Sequence, residues 1–193
     1  FDQWKKGSRP QLWETWWLAD NRWTLAEGLR ASGYQSAGFV DNLWLTDRFQ
    51  FPQGFDTYDA TAGTIPIDDR SGGIRHVTGL AKKWLKGRRE ESPYFLFLHC
   101  FDVHAPFAPG EEYASAFHED DHYDGEAEAP AGGPDSAFGV IPSYITRAIA
   151  GQDAPTPEKL PTAPIASAYD AGILEVDHVL GEFFAWMRAE GLY

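Results

Sequence analysis

An α/β architecture, with a mostly parallel sheet sandwiched by helices, is what this chain of 193 residues predicts. Three observations carry the prediction. Tyr34–Val40 reads as a short buried strand, and Tyr94–Phe101 as a second whose lack of alternation is the pattern of burial on both faces. Segments with apolar residues at helical spacing lie before, between and after them. The resulting order of helix, strand, helix, strand, helix calls for a right-handed crossover, which makes the two strands parallel.

The first helix is predicted near Thr24–Ser32. Thr24 is placed to cap it, and Glu27, three residues on, can reach back to complete a capping box. Leu25, Ala26 and Leu29 supply its apolar face, and Gly33 is placed to end it in the left-handed conformation. Tyr34–Val40 follows as a strand that opens into a loop at Asp41 and Asn42. "FPQGFDTYDATAGTIP", residues 51–66, is punctuated by Gly and Pro and is predicted to be irregular. Ile74, Val77, Ala81 and Trp84 then recur at helical spacing, with Lys82, Lys83, Lys86 and Arg88 on the wet side, predicting a helix near Ile74–Lys86. Pro93 stops any continuation, and Tyr94–Phe101 is the second strand. Between Glu111 and Glu128 stand eight carboxylates without a Lys or Arg, and Pro- and Gly-rich sequence continues to Pro164. An irregular acidic insertion at about 109–165 is the reading. Tyr169, Ile173, Val176, Leu180, Phe183 and Met187 form the apolar stripe of a last helix, near Ser167–Glu190, closed by Gly191.

Composition excludes several classes. A content of 43% hydrophobic and 15% aromatic residues, with eight Trp, is too apolar for a disordered chain. The net charge of -13 argues against nucleic acid or an anionic membrane surface as partner, because phosphate binding needs clustered Lys and Arg. It also slows the approach of an anionic substrate unless a local site reverses the field. Cys100 is the single cysteine, so no internal disulfide can form. No apolar run is long enough to span a membrane. The start "FDQWKKGSRP" lacks an initiator Met, which suggests a processed or truncated chain or a fragment.

In open parallel sheets, ligands gather outside the carboxyl ends of the strands. Both strands carry polar residues there: Asp41 and Asn42 after the first, Asp102 and His104 after the second. His104 could hold an oxyanion or move a proton, being a side chain that titrates near neutral pH. The ordinary alternative is a loop histidine satisfied by local backbone. Asp102 and Asn42 have their own ordinary reading, since Asp and Asn side chains commonly bond their own turns. His99, inside the strand, reads as a hydrogen-bonded core residue. Cys100 reads as packing, because a thiolate in an apolar run is costly. "HEDDHYD" spaces His118 and His122 by one helical turn, yet a solvated acidic loop is the better account. Trp13, Trp16, Trp17 and Trp23 could stack on a sugar, but read better as core or interface packing. "SGG" at residues 71–73 lacks the Gly-Lys-Ser/Thr signature of a phosphate loop.

Four segments together resemble the sulfatases of the alkaline-phosphatase-like superfamily. "TLAEGLRASGYQSAGFVDN" is similar to the family's Thr-Leu-Ala-Glu helix, Gly-Tyr turn and following strand, and "FPQGFDTYD" to its Gly-Phe-Asp loop. "PYFLFLHCFDVHAPF" resembles the strand and Asp-x-His-x-Pro-Tyr loop, with Phe107 in place of the usual Tyr. "YDAGILEVDHVLGEFFAWMRAEGLY" resembles the Tyr-x-x-x-Ile-x-x-x-Asp helix before the last catalytic strand. The likeness runs over Thr24–Phe117 and Ala166–Tyr193, in family order.

The resemblance implies that His104 contacts a sulfate group. It also marks departures. The family nucleophile is a formylglycine made within Cys/Ser-x-Pro-x-Arg, whereas Cys100 precedes Phe-Asp and Ser8 precedes Arg-Pro. The family's paired calcium-binding aspartates and its Ser-Asp-His-Gly strand have no counterpart in residues 1–193. The Gly-Lys-Trp-His loop of many sulfatases falls near Val40–Leu43, where this chain reads Val-Asp-Asn-Leu, so Asp41 and Asn42 stand in as substrate-binding candidates. The expectation is therefore the central part of one sulfatase-like catalytic domain, with the fold incomplete. Neither nucleophile nor metal ligand is expected in this chain; calcium or another divalent cation belongs to the full-length enzyme, and the chain alone is expected to be inactive. The full-length function expected is hydrolysis of sulfate esters of a small molecule or glycan. The alternatives are a phosphodiesterase or phosphoethanolamine transferase of the same superfamily, and a non-catalytic carbohydrate-binding protein.

Overall fold

Ser36 to Val40 are buried without interruption, and around this run the first half of the chain is built. The structure, a computed structural model, describes residues 4–6, 16–65, 72–89, 91–104, 107, 109–117, 126–128 and 159–193. It divides into two compact units, residues 1–101 and 102–193.

In the first unit, β1 (Trp4–Lys6) and β2 (Trp16–Leu18) form an antiparallel pair. Sequence reading missed it, because two three-residue strands are too short to show a period. Helix α1 (Leu25–Ala31) follows, then β3 (Gln35–Val40), β4 (Thr57–Asp59), α2 (Gly73–Gly87) and β5 (Tyr94–His99). The last three strands make a sheet in the order β4-β3-β5, and both pairings are parallel, as the crossover predicts. The register sets Gln35 opposite Tyr94 and Val40 opposite His99, so β3 and β5 end at one edge. Both strands are shorter than predicted: Tyr34 precedes β3, and Cys100 and Phe101 follow β5.

Helix α1 begins as its sequence requires. The Thr24 hydroxyl accepts from the Glu27 N–H at 3.1 Å, and the Glu27 carboxylate accepts from the Thr24 N–H at 2.8 Å. Gly33 has φ +86° after the last turn. On α2, Ile74, Val77, Ala81 and Leu85 are buried. Trp84, predicted among them, is half-buried and meets Tyr94 edge-on at 6.2 Å.

Two expectations are corrected here. The stretch predicted to be irregular supplies β4, and its aromatics cover the sheet. Phe55 packs on Tyr58 at 5.3 Å and on Phe95 at 5.8 Å, and the Tyr58 ring lies directly over Gly38. Reciprocal bonds fix the start of this strand: Ser36 N–H donates to the Asp56 carboxylate at 2.8 Å, and Asp56 N–H to the Ser36 hydroxyl at 3.0 Å. Gly54 is required just before it, with φ +94° and a missing Cβ that would fall 2.5 Å from the Glu27 nitrogen. The second correction concerns β5. It was expected to be buried on both faces, yet its residues are only half-buried and Phe97 is 37% exposed. Among the described residues β5 pairs with β3 alone, and β3 alone has neighbours on both sides.

The second unit holds α3 (Glu111–Ala114), β6 (Glu126–Glu128), β7 (Lys159–Pro161) and the long helix α4 (Thr162–Ala189). The stretch read as irregular thus contributes a helical turn and an antiparallel pair, β6 with β7. Helix α4 starts earlier than predicted, with Pro164 in its first turn, where proline costs no helical hydrogen bond. Its buried face also differs. Ala171, Glu175, Val179, Phe183 and Met187 are buried, whereas Tyr169 and Ile173 of the predicted stripe are 42% and 43% exposed. Small residues and one acid face inward because neighbouring backbone comes close. Val103 lies over Gly172, and the Glu175 carboxylate accepts from the Gly110 N–H at 2.8 Å. Tyr113 on α3 bonds His178 Nδ1 at 2.6 Å, which ties the short helix to the long one.

Candidate functional site

The hydrogen-bond ladder of β3 does not stop at Val40. Asp41 N–H still donates to the His99 carbonyl at 3.0 Å, and the chain leaves the sheet only after it. The Asp41 carboxylate accepts from the backbone N–H groups of Gly73, at the start of α2, and of Phe101, beyond β5. One side chain therefore ties three segments together at the carboxyl edge of the sheet. Burial pushes its pKa above the ordinary value, against the two N–H bonds and the nearby His99 and His76, which pull it down. Asp41 is thus placed to organise this edge.

Two imidazoles face the same acid. His76 Nε2 and His99 Nδ1 are buried nitrogens without a hydrogen-bond partner among the described residues. His99 is hydrogen-bonded through its backbone, as expected of a strand residue, while its Nδ1 has no partner among the described residues; its ring lies along Phe101 at 6.3 Å. His76 was not singled out from sequence, because a histidine in the first turn of a helix carries no signal that points to an aspartate in a distant loop.

Asn42 opens a tight turn. Its carboxamide oxygen accepts from the Trp44 N–H at 2.8 Å and its backbone carbonyl from the Leu45 N–H at 3.2 Å. The ordinary reading of Asn42 thus holds for its oxygen, and the amide nitrogen is the end that could donate to an anion. The turn is held from outside as well. Tyr58 donates its hydroxyl to the Leu45 carbonyl at 2.9 Å, and burial pushes that phenol up to about 12. Gly63 lies against Asn42 so closely that a Cβ there would fall 2.7 Å from its backbone.

His104 lies in the second unit, exposed in the turn after Asp102 and Val103. Cys100 follows β5 directly and is half-buried. Ser8, Trp13, Ser71, Pro106, His118 and His122 lie outside the described residues, as do the side chains of Trp16 and Trp17. Trp23, expected to pack, is 75% exposed. A cavity of about 360 Å³ is lined by Asp20, Glu27, Asp47, Gln50, Pro52 and Gln53, an acidic wall unsuited to an anion. Among the described residues, no group of three or more His, Cys, Asp or Glu side chains is arranged to hold a metal ion. No described helix is long and apolar enough to cross a membrane.

A protein-family model described as Sulfatase matches residues 8–193. No curated protein matches the chain.

Proposed function

The chain belongs to the sulfatase family, and on that premise we propose that the protein containing it hydrolyses sulfate esters, with His104 and Asn42 each a sulfate-binding residue of its own unit and Asp41 setting the loop that carries Asn42. The observation that supports this most is the family match over residues 8–193, which takes in the Asp102-x-His104-x-Pro106 sequence.

In such a hydrolysis, attack on sulfur breaks the bond to the alcohol oxygen, and charge grows on the sulfuryl oxygens and the leaving group. Fixed N–H donors aimed at those oxygens lower the barrier without reorganising during the reaction. The His104 ring is a donor of this kind in the second unit, and the Asn42 amide nitrogen is one in the first. The Asp41 carboxylate contributes indirectly, because its bonds to Gly73 and Phe101 hold the backbone from which Asn42 projects. Sulfatases generally use a divalent cation. The described residues do not fit one, so no ligand is assigned in this chain and no step is drawn through a metal.

The test is substrate discrimination by the full-length protein. Phenyl sulfate should release phenol and sulfate in equal amounts, faster than a phenyl phosphodiester releases phenol. The opposite preference would favour the phosphodiesterase reading.

A further inference from the structure

The loop after β3 is held at several points, yet it turns its largest apolar side chains outward. Asn42, Leu45 and Thr46 fix its backbone: the Asn42 oxygens take the Trp44 and Leu45 N–H groups, and Thr46 Oγ1 donates to the Leu43 carbonyl at 3.5 Å. Tyr58 and Gly63 press on it from the neighbouring segment. Within this rigid turn Leu43 is 60% exposed and Trp44 58% exposed. The indole packs against buried Phe49, with ring centroids 5.5 Å apart and planes tilted by 37°. Trp44 is therefore oriented by a core residue and by its own backbone bond while leaving more than half its surface to solvent. Exposed aromatic surface on a preorganised loop binds rings at little conformational cost, since stacking then orders only the ligand.

What ring it would take follows from position and charge. Asn42, which binds sulfate in the function proposed above, stands two residues before Trp44. A ring held on the indole thus belongs to the alcohol part of the same ester. The net charge of -13 disfavours a polysulfated polymer and favours an ester that carries a single sulfate. We infer that Trp44, flanked by Leu43, is a stacking platform for the flat apolar face of a singly sulfated alcohol, either an aryl ring or a pyranose. This rests on the sulfate-ester reading and names its substrate class.

The experiment compares phenyl sulfate, glucose 6-sulfate and methyl sulfate with the full-length protein and its Trp44→Ala, Trp44→Phe and His104→Ala variants. Trp44→Ala should raise KM for at least one ring-bearing ester by about 3- to 10-fold and leave methyl sulfate unchanged. Trp44→Phe should restore most of the loss, at unaltered melting temperature. The two ring esters separate aryl from sugar recognition. His104→Ala should raise KM for all three, which reads the sulfate contact independently. In parallel, the Trp44 indole resonance, assigned by its loss in Trp44→Phe, should shift with phenyl sulfate and with phenol but not with methyl sulfate. An unshifted resonance, an unchanged KM for both ring esters, or an equal rise for methyl sulfate would each overturn the platform. If no ester is hydrolysed at all, the proposed function fails, while the resonance still decides the platform.

Discussion

Asp41 is the residue on which the candidate edge turns. Its carboxylate accepts two backbone N–H groups from distant segments, and burial holds its pKa above the ordinary 3.8. A group whose folded pKa is raised binds its proton more tightly in the folded state. Its stabilising contribution is complete below the unfolded pKa and is lost as pH rises through the higher folded value. The melting temperature of the wild type, relative to Asp41→Asn, should therefore rise as pH falls from about 6 to about 4. A gap independent of pH would mean that burial does not control this acid, and a gap of opposite sign would mean that its N–H bonds do. Asp41 could be named from sequence because it follows an apolar strand, but its partners could not, since Gly73 and Phe101 approach it only through the fold. The capping box at Thr24 and Glu27 was legible because both partners lie within one turn. Glu27 behaves oppositely to Asp41. The Thr24 N–H lowers its pKa, so its contribution is present above the unfolded value and fades in acid.

Among the elements, β3 was legible because the short apolar run at residues 37–40 follows the Gly33 turn and ends at Asp41, and its central place in the sheet accounts for its burial. β4 was not legible. Three residues between Gly54 and a 3-10 turn become a strand only because β3 offers them an edge. The pairing depends on Gly38, over which Tyr58 lies. A Cβ there would come 2.6 Å from the Tyr58 ring, so Gly38→Ala should destabilise the fold by about 1–3 kcal/mol, measured by urea unfolding. A loss below about 0.5 kcal/mol would show that the ring moves aside freely. The face of α4 was misjudged for a different reason. Its large apolar residues spread around the helix, and the buried side is chosen by Ala171, Gly172 and Glu175, which admit close backbone and cap Gly110. Hydrophobic periodicity does not register a buried acid.

For the molecule as a whole, family membership rests on the order of several weak motifs, which is why it was readable where no single site was. The proposed site was only partly readable. His104 and Asn42 are candidates named from the strand ends, whereas His76 and Trp44 gain meaning from partners the sequence does not place beside them. The net charge of -13 opposes an anionic substrate. Raising ionic strength from about 0.01 to about 0.15 M, which shortens the screening length, should therefore increase kcat/KM for a sulfate ester. A fall would point to a local cationic site that outweighs the global field. The most direct test of the whole account is kcat/KM for phenyl sulfate in the full-length protein before and after His104→Ala, with thermal melting as control. The account predicts a loss of about 100-fold or more at unchanged melting temperature, the usual effect of removing one donor to developing oxyanion charge. Equal turnover by wild type and variant would contradict it.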